Sequence, residues 1–156
     1  MDLIYGVTTE IKDIVNVLNK TTLSLLNKNI YQWTYPWNSE EIERDINLKY
    51  QLVVKDKEKI IAVFSLKPLS HTICEADKSD SMYLYRIAVL PEYQGKNVGQ
   101  AICSFVKQKA EQEKIKIYLD CWAGNEKLKN FYTGMGFRYN GDYPEEDYYV
   151  SVFSYR

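Results

Sequence analysis

The sequence predicts a mixed α/β domain: an α+β arrangement with one central mixed sheet, helices on both faces, and the element order β-α-α-β-β-β-α-β-α-β-β. Three observations carry this prediction. Short alternating or β-branched runs bounded by polar turns mark seven strands. Four stretches place apolar residues three and four apart, the spacing of a half-buried helix. Finally, a strand–helix–strand unit from Met82 to Cys121 lies between two hairpins. Such a unit closes as a right-handed parallel crossover, while hairpins are antiparallel, so the sheet must be mixed.

Leu3 to Val7 reads as a short strand, and Thr9 as the cap of a helix carrying Ile11, Ile14, Val15 and Leu18, with a break or bend expected before Leu23, Leu25 and Leu26. Tyr31 to Trp37 is an aromatic connection. Asn38 and Glu41 have the spacing of a capping box for a helix from Ser39 to about Leu48. Gln51–Val54 and Ile60–Leu66 flank the polar turn 56–59, a hairpin signature. A polar loop around His71 to Ser81 leads into a strand from Met82 to Leu90, which Pro91 stops. A helix follows over Val98–Glu113, then a strand over Ile115–Cys121, then a helix over Glu126–Met135 ended by Gly136. Arg138–Tyr143 and Tyr148–Tyr155 close the chain as a hairpin around Pro144-Glu145-Glu146-Asp147.

The 156 residues suit one domain, 1–156, with one core. Twenty Lys and Arg against 21 Asp and Glu leave a formal charge of −1, which provides no bulk attraction to nucleic acid or anionic membrane. Cys74, Cys103 and Cys121 are odd in number, widely spaced and without metal-ligand pairing, and are expected to be reduced and structural. No signal peptide is evident, and the longest apolar run, Ile60 to Phe64, is far too short to span a bilayer. A soluble, cytoplasmic protein is expected. His71 is the sole histidine, which argues against a Ser/His/Asp triad or a histidine-based metal site, and no metal is expected.

Six of the seven glycines follow Gln94. The sharpest feature is the strand-to-helix join Pro91-Glu92-Tyr93-Gln94-Gly95-Lys96-Asn97-Val98-Gly99. A helix N-terminus presents unpaired N–H groups and about half a positive charge, and glycine lets a large oxyanion approach the main chain. Lys96 adds charge. The pattern is neither a Walker loop nor a dinucleotide fingerprint. Alone it fits either a phosphate cradle or an unliganded turn.

With its flanks, Arg86-Ile87-Ala88-Val89-Leu90-Pro91 through Gly99-Gln100-Ala101 resembles the central motif of the GNAT acetyltransferase superfamily: Gln/Arg-x-x-Gly-x-Gly/Ala after a strand ending in Val-x-Pro. Leu119 to Asn125, then Phe131-Tyr132 and Gly134-Met135-Gly136-Phe137, resembles that family's second block. The two blocks span Met82 to Phe137. Asn97 departs from the pattern, standing where glycine is usual, although Asn adopts positive φ more readily than other side chains. The resemblance implies acetyl-CoA as co-substrate. Its pantetheine would lie along Ile87, Ala88 and Val89, and its pyrophosphate on the amides of Gln94, Gly95, Lys96, Asn97, Val98, Gly99 and Gln100.

It further implies that Asn125 hydrogen-bonds the cofactor arm and that Tyr132, two helical turns on, protonates the departing thiolate. Tyr132 also falls on the apolar stripe of Leu128, Phe131 and Met135, so core packing is the competing expectation. The strand before the loop, Met82-Tyr83-Leu84-Tyr85-Arg86, lacks the carboxylate that many relatives use as base. Asp120, Glu75 and the Glu145-Glu146-Asp147 turn are the alternatives, with solvated surface acids as the competing reading. Trp33, Tyr35, Trp37 and Glu145 are candidates for an acceptor pocket, and simple packing of the rings against the sheet competes with that role. The expected partners are acetyl-CoA and an amine acceptor, with neither nucleic acid nor membrane, as a monomer or a homodimer. The functional expectation is an N-acetyltransferase acting on a primary amine of a small molecule or peptide. The alternative is a non-catalytic acyl-CoA-binding module or sensor.

Overall fold

A computed structural model describes residues 3–31, 33–70 and 79–156. His71, Cys74 and Glu75 lie outside the described residues. The element order is the expected one: β1 (Leu3–Gly6), α1 (Ile11–Asn27), α2 (Ser39–Asn47), β2 (Gln51–Asp56), β3 (Lys59–Pro68), β4 (Ser81–Val89), α3 (Val98–Glu113), β5 (Lys116–Trp122), α4 (Glu126–Gly134), β6 (Arg138–Glu145) and β7 (Tyr148–Tyr155), with one 3-10 turn at Pro91–Tyr93. The strands form a seven-stranded mixed sheet in the order β1-β2-β3-β4-β5-β7-β6. Contacts group the chain into two compact units, Met1–Leu66 with Arg86–Gly99 and Lys67–Tyr85 with Gln100–Arg156.

In the first unit β1 and β2 pair antiparallel from Leu3↔Asp56 to Gly6↔Val53, and β2 and β3 form a hairpin with a register shift at Val54/Lys55. Ile60 to Leu66 of β3 are buried without alternation, as expected of a strand covered on both faces. Ile14, Val17 and Leu18 of α1 and Ile42 of α2 join Val53, Val63, Ala88 and Leu90 in one core cluster. Burying each such aliphatic side chain contributes about 1.5–3 kcal/mol. Two helix starts differ from expectation. Glu10, not Thr9, is the first residue outside α1, and Thr8 Oγ1 accepts from Glu10 N–H at 3.1 Å. The helix also continues unbroken through Leu23, Leu25 and Leu26. Asn38 does cap α2, accepting from Glu40 N–H at 2.8 Å, but Glu41 does not complete a capping box. Its carboxylate reaches Arg86 instead, at 2.7 Å.

In the second unit β4 and β5 run parallel from Ser81↔Lys116 to Tyr83↔Tyr118, and β5 pairs antiparallel with β7 from Ile117↔Tyr155 to Trp122↔Val150. β7 therefore sits between β5 and β6. This position explains its continuous burial from Val150 to Ser154 and the polar, more exposed character of the edge strand β6. The β6–β7 hairpin turns at Glu146 and Asp147, two residues tighter than expected, because Glu146 adopts φ +51°. Gly136 follows α4 at φ +91°, the left-handed stop that glycine makes without strain.

Candidate active site

Beyond β4, Pro91 cannot donate to a ladder and the chain makes a single 3-10 turn before Gln94. Val89 O accepts from Gln94 Nε2 at 3.0 Å and from Thr21 Oγ1 of α1 at 3.2 Å, which ties the far end of the turn and the first helix to the end of the strand. Gly95 (φ +78°) and Asn97 (φ +66°) are then both left-handed. A Cβ on Gly95 would meet no atom within 4 Å, so glycine is needed there for its backbone angle and not for room. Gln94 to Asn97 are exposed, whereas Val98 is buried and anchors the start of α3. Lys96 Nζ lies 5.4 Å from the Tyr93 ring centroid and Lys59 Nζ lies 5.3 Å from the same ring, with Lys59 also 3.6 Å from Glu92. The first unit thus brings Ile87, Ala88, Val89 and Gln94 to Gly99 into one continuous segment, with Ala88 buried in the core cluster. Gln100 belongs to the part of α3 in the second unit.

In the second unit Asn125 is the N-cap of α4: its Oδ1 accepts from Leu128 N–H at 3.1 Å. Its backbone N–H donates to Trp122 O at 3.0 Å, but its side-chain Nδ2, on a residue only 7% exposed, has no acceptor among the described residues. Tyr132 is buried as well, with its ring between Phe131, Phe137 and Phe153 at centroid distances of 5.5–5.9 Å. Its hydroxyl makes no hydrogen bond among the described residues, and burial, with Cys103, Cys121 and Asp120 nearby, holds the phenol well above its ordinary value. The ring therefore fills the core, as the packing expectation has it, and its hydroxyl is a donor without an acceptor among the described residues. Buried polar atoms without a protein partner are uncommon in folded proteins and are met by water or an ion, or kept for a catalytic role.

Asp120 separates from the other base candidates. Tyr83 O–H donates to its Oδ1 at 2.9 Å, and its other oxygen has no partner among the described residues. Burial raises the carboxyl to about 6, the Tyr83 hydrogen bond opposes the rise, and Glu145 adds to it. Glu145, Glu146 and Asp147 are exposed. Cys103 and Cys121 are free, buried and pushed up to about 12, as inert structural thiols should be.

The acceptor candidates divide. Trp33 and Trp37 meet edge to face at 5.6 Å and pack on the first unit's core, with Trp37 Nε1 donating to Thr22 Oγ1 at 2.8 Å. Tyr35 is 45% exposed. Glu145 lies in the second unit, at the end of β6.

The model of the Acetyltransferase (GNAT) family matches residues 20–137. The chain belongs to this family. An uncharacterized N-acetyltransferase of Bacillus subtilis (strain 168), YesJ, is 27% identical over 145 residues, covering 87% of this chain and 81% of that protein. Among solved structures, the PaiA N-acetyltransferase of Thermoplasma acidophilum in complex with coenzyme A superposes with a TM-score of 0.76 at 15% identity, over 99% of this chain and 100% of that one. YncA of Salmonella typhimurium, a putative acetyltransferase with its cofactor acetyl-CoA, gives 0.73 at 11% identity, over 100% and 94%.

The residues present fit the coenzyme that a GNAT acetyltransferase uses. In the first unit the two left-handed residues Gly95 and Asn97 leave an exposed loop at the head of a 16-residue helix, the setting in which main-chain N–H groups receive phosphate. In the second, Asn125 and Tyr132 each offer a buried donor without an acceptor. Sequence reasoning missed Tyr83 and the Arg86–Glu41–Asp45 cluster, in which Arg86 donates to both carboxylates at 2.7 Å. The period of β5 puts Tyr118 and Asp120 on one face, but what brings Tyr83 to them is the register Tyr83↔Tyr118 between strands 37 residues apart at the contact, which the sequence does not report. Arg86 gave no signal either, because its partners lie 41 and 45 residues away.

Proposed function

We propose that this chain, as one acetyltransferase domain over residues 1–156, moves an acetyl group from acetyl-CoA to a primary amine of a small molecule or peptide in the cytoplasm. The observation that carries the proposal is the buried Tyr132 hydroxyl with no acceptor among the described residues, on a chain of this family. Acetyl-CoA would supply an activated thioester, with the amides of Gln94 to Gln100 taking its pyrophosphate, Ile87, Ala88 and Val89 its arm, and Asn125 a further hydrogen bond. Asp120 takes a proton from the acceptor ammonium, directly or through a water, which frees the nitrogen lone pair to attack. A carboxyl near 6 is ionised at neutral pH and is still basic enough to share that proton. Tyr132 gives its proton to the thiolate as it departs. The phenol is protonated at working pH and so has the proton to give, and burial raises it further, which makes the thiolate's own basicity the driving force of the transfer. Trp33, Tyr35, Trp37 and Glu145 are proposed to touch the acceptor.

The test is incubation with acetyl-CoA and a panel of amines while free thiol is followed. Amine-dependent thiol release is expected, and acetyl-CoA at 100 times its Kd should stabilise the fold by about 2.7 kcal/mol. Gly99→Glu, which puts bulk and negative charge at the loop, should remove that stabilisation. Stabilisation without thiol release for any amine would make the chain a binding module and overturn the enzymatic proposal.

A further inference from the structure

We propose that Tyr83 is a positioning residue for the transfer reaction: its hydroxyl orients the Asp120 carboxylate through the 2.9 Å hydrogen bond and governs its readiness to accept a proton. The inference rests on Asp120 being the base proposed above.

The donor is itself held on several sides. The Tyr83 ring stacks on Tyr85 at 5.2 Å and 8°, and it packs against the cluster of Leu69, Tyr118, Val150 and Val152. Lys67 Nζ lies 5.8 Å from the Tyr83 ring and 4.8 Å from the Tyr85 ring. A hydroxyl on so fixed a ring holds Oδ1 in place and leaves Oδ2 to face an acceptor or a water. Around Asp120 stand Tyr83 on β4, Cys121 on β5, Tyr132 on α4, Glu145 on β6 and Tyr148 on β7. None of these is a cation, and Asp120 has no ion pair among the described residues. Burial and Glu145 favour the neutral acid, and the Tyr83 hydrogen bond alone favours the carboxylate. Without that hydroxyl a larger share of the acid would hold its proton toward neutrality, and less of it would be in the base form.

The same unit holds a natural control. Asp142 accepts from Ser151 at 2.5 Å and Tyr139 at 2.8 Å, and these hydroxyls hold it below its ordinary value, because little burial opposes them. Hydroxyl donors thus act in the same direction at both aspartates, and burial decides where each one ends.

Tyr83→Phe keeps the ring and deletes the donor. A hydrogen bond to a charged group is strong enough to move the acid limb of the kcat/KM profile upward by roughly one pH unit. Near pH 6 activity should then fall about fivefold and recover by pH 8.5. A carbon-13 titration of the Asp carboxyls, assigned by the signal missing in Asp120→Asn, should show the same upward shift with no substrate present. A Tyr83→Phe limb and titration matching wild type, or an equal loss at every pH, would overturn the role of Tyr83. If Asp120→Asn keeps the wild-type rate and limb, the base assignment itself fails, and the two failures are told apart by which variant is silent.

Discussion

The two compact units treat their buried charge in opposite ways. In the first, Arg86 and Asp45, with side chains 10% and 11% exposed, face each other at 2.7 Å, Glu41 adds a second carboxylate at the same distance, and the guanidinium lies 5.7 Å from the Trp37 ring. Every one of these charges has an opposite charge. In the second, Asp120 is partly buried, its partner among the described residues is a phenol, and another carboxylate is nearby. Pairing makes a buried charge a fastener. Left without a counter-ion, a buried carboxyl has a protonation state that responds to small changes around it.

The largest effect should come from the second unit. Tyr132→Phe preserves the ring contacts and removes the proton, so kcat should fall by roughly 10²–10⁴ with coenzyme affinity and melting temperature little changed. Turnover within about twofold of wild type, with chemistry rate-limiting, would leave Tyr132 as core filling.

Arg86→Leu probes the first unit. Removing one member of a buried ion pair costs about 3–5 kcal/mol, and chemical denaturation should show the loss. A loss below about 1 kcal/mol would mean that the cluster behaves like surface charge and would end the contrast.

Asp120→Asn should separate stability from activity. Because its folded-state value is raised to about 6 from 3.8, the favourable contribution of Asp120 is complete below about pH 4 and is lost as pH rises through 6. The amide should therefore stabilise the fold at pH 8 by on the order of 2–3 kcal/mol, with the gain fading toward pH 4, while turnover drops. The smallest effect is expected from Glu145→Gln. Removing an exposed like charge should lower the acid limb by a few tenths of a pH unit at low salt, and by less at high salt.

The same contrast explains what could be read in the sequence. The element order and the limits of α3 were legible because they rest on local periodicity, as at Val98, Ile102 and Val106. The loop was legible because Gly95 and Asn97 signal positive φ residue by residue. Asp120 appeared only as one acid among several, since burial, which distinguishes it from Glu145, comes from strands 30 residues away. Glu41 looked like half of a capping box and proved to be an ion-pair partner, because no local pattern reports a contact across 45 residues.

The buried thiols have a practical consequence for kinetics. At about 12, Cys103 and Cys121 are almost wholly protonated and shielded, so a thiol-reactive dye should pass them by while the fold is closed. In a Cys74→Ser background, colour that develops in native buffer would then come from coenzyme released by turnover. The same dye added in denaturant would count two further sulfhydryls per chain. The rate at which they appear would time the opening of the unit that holds Tyr132, making one reagent both a catalytic assay and an unfolding clock.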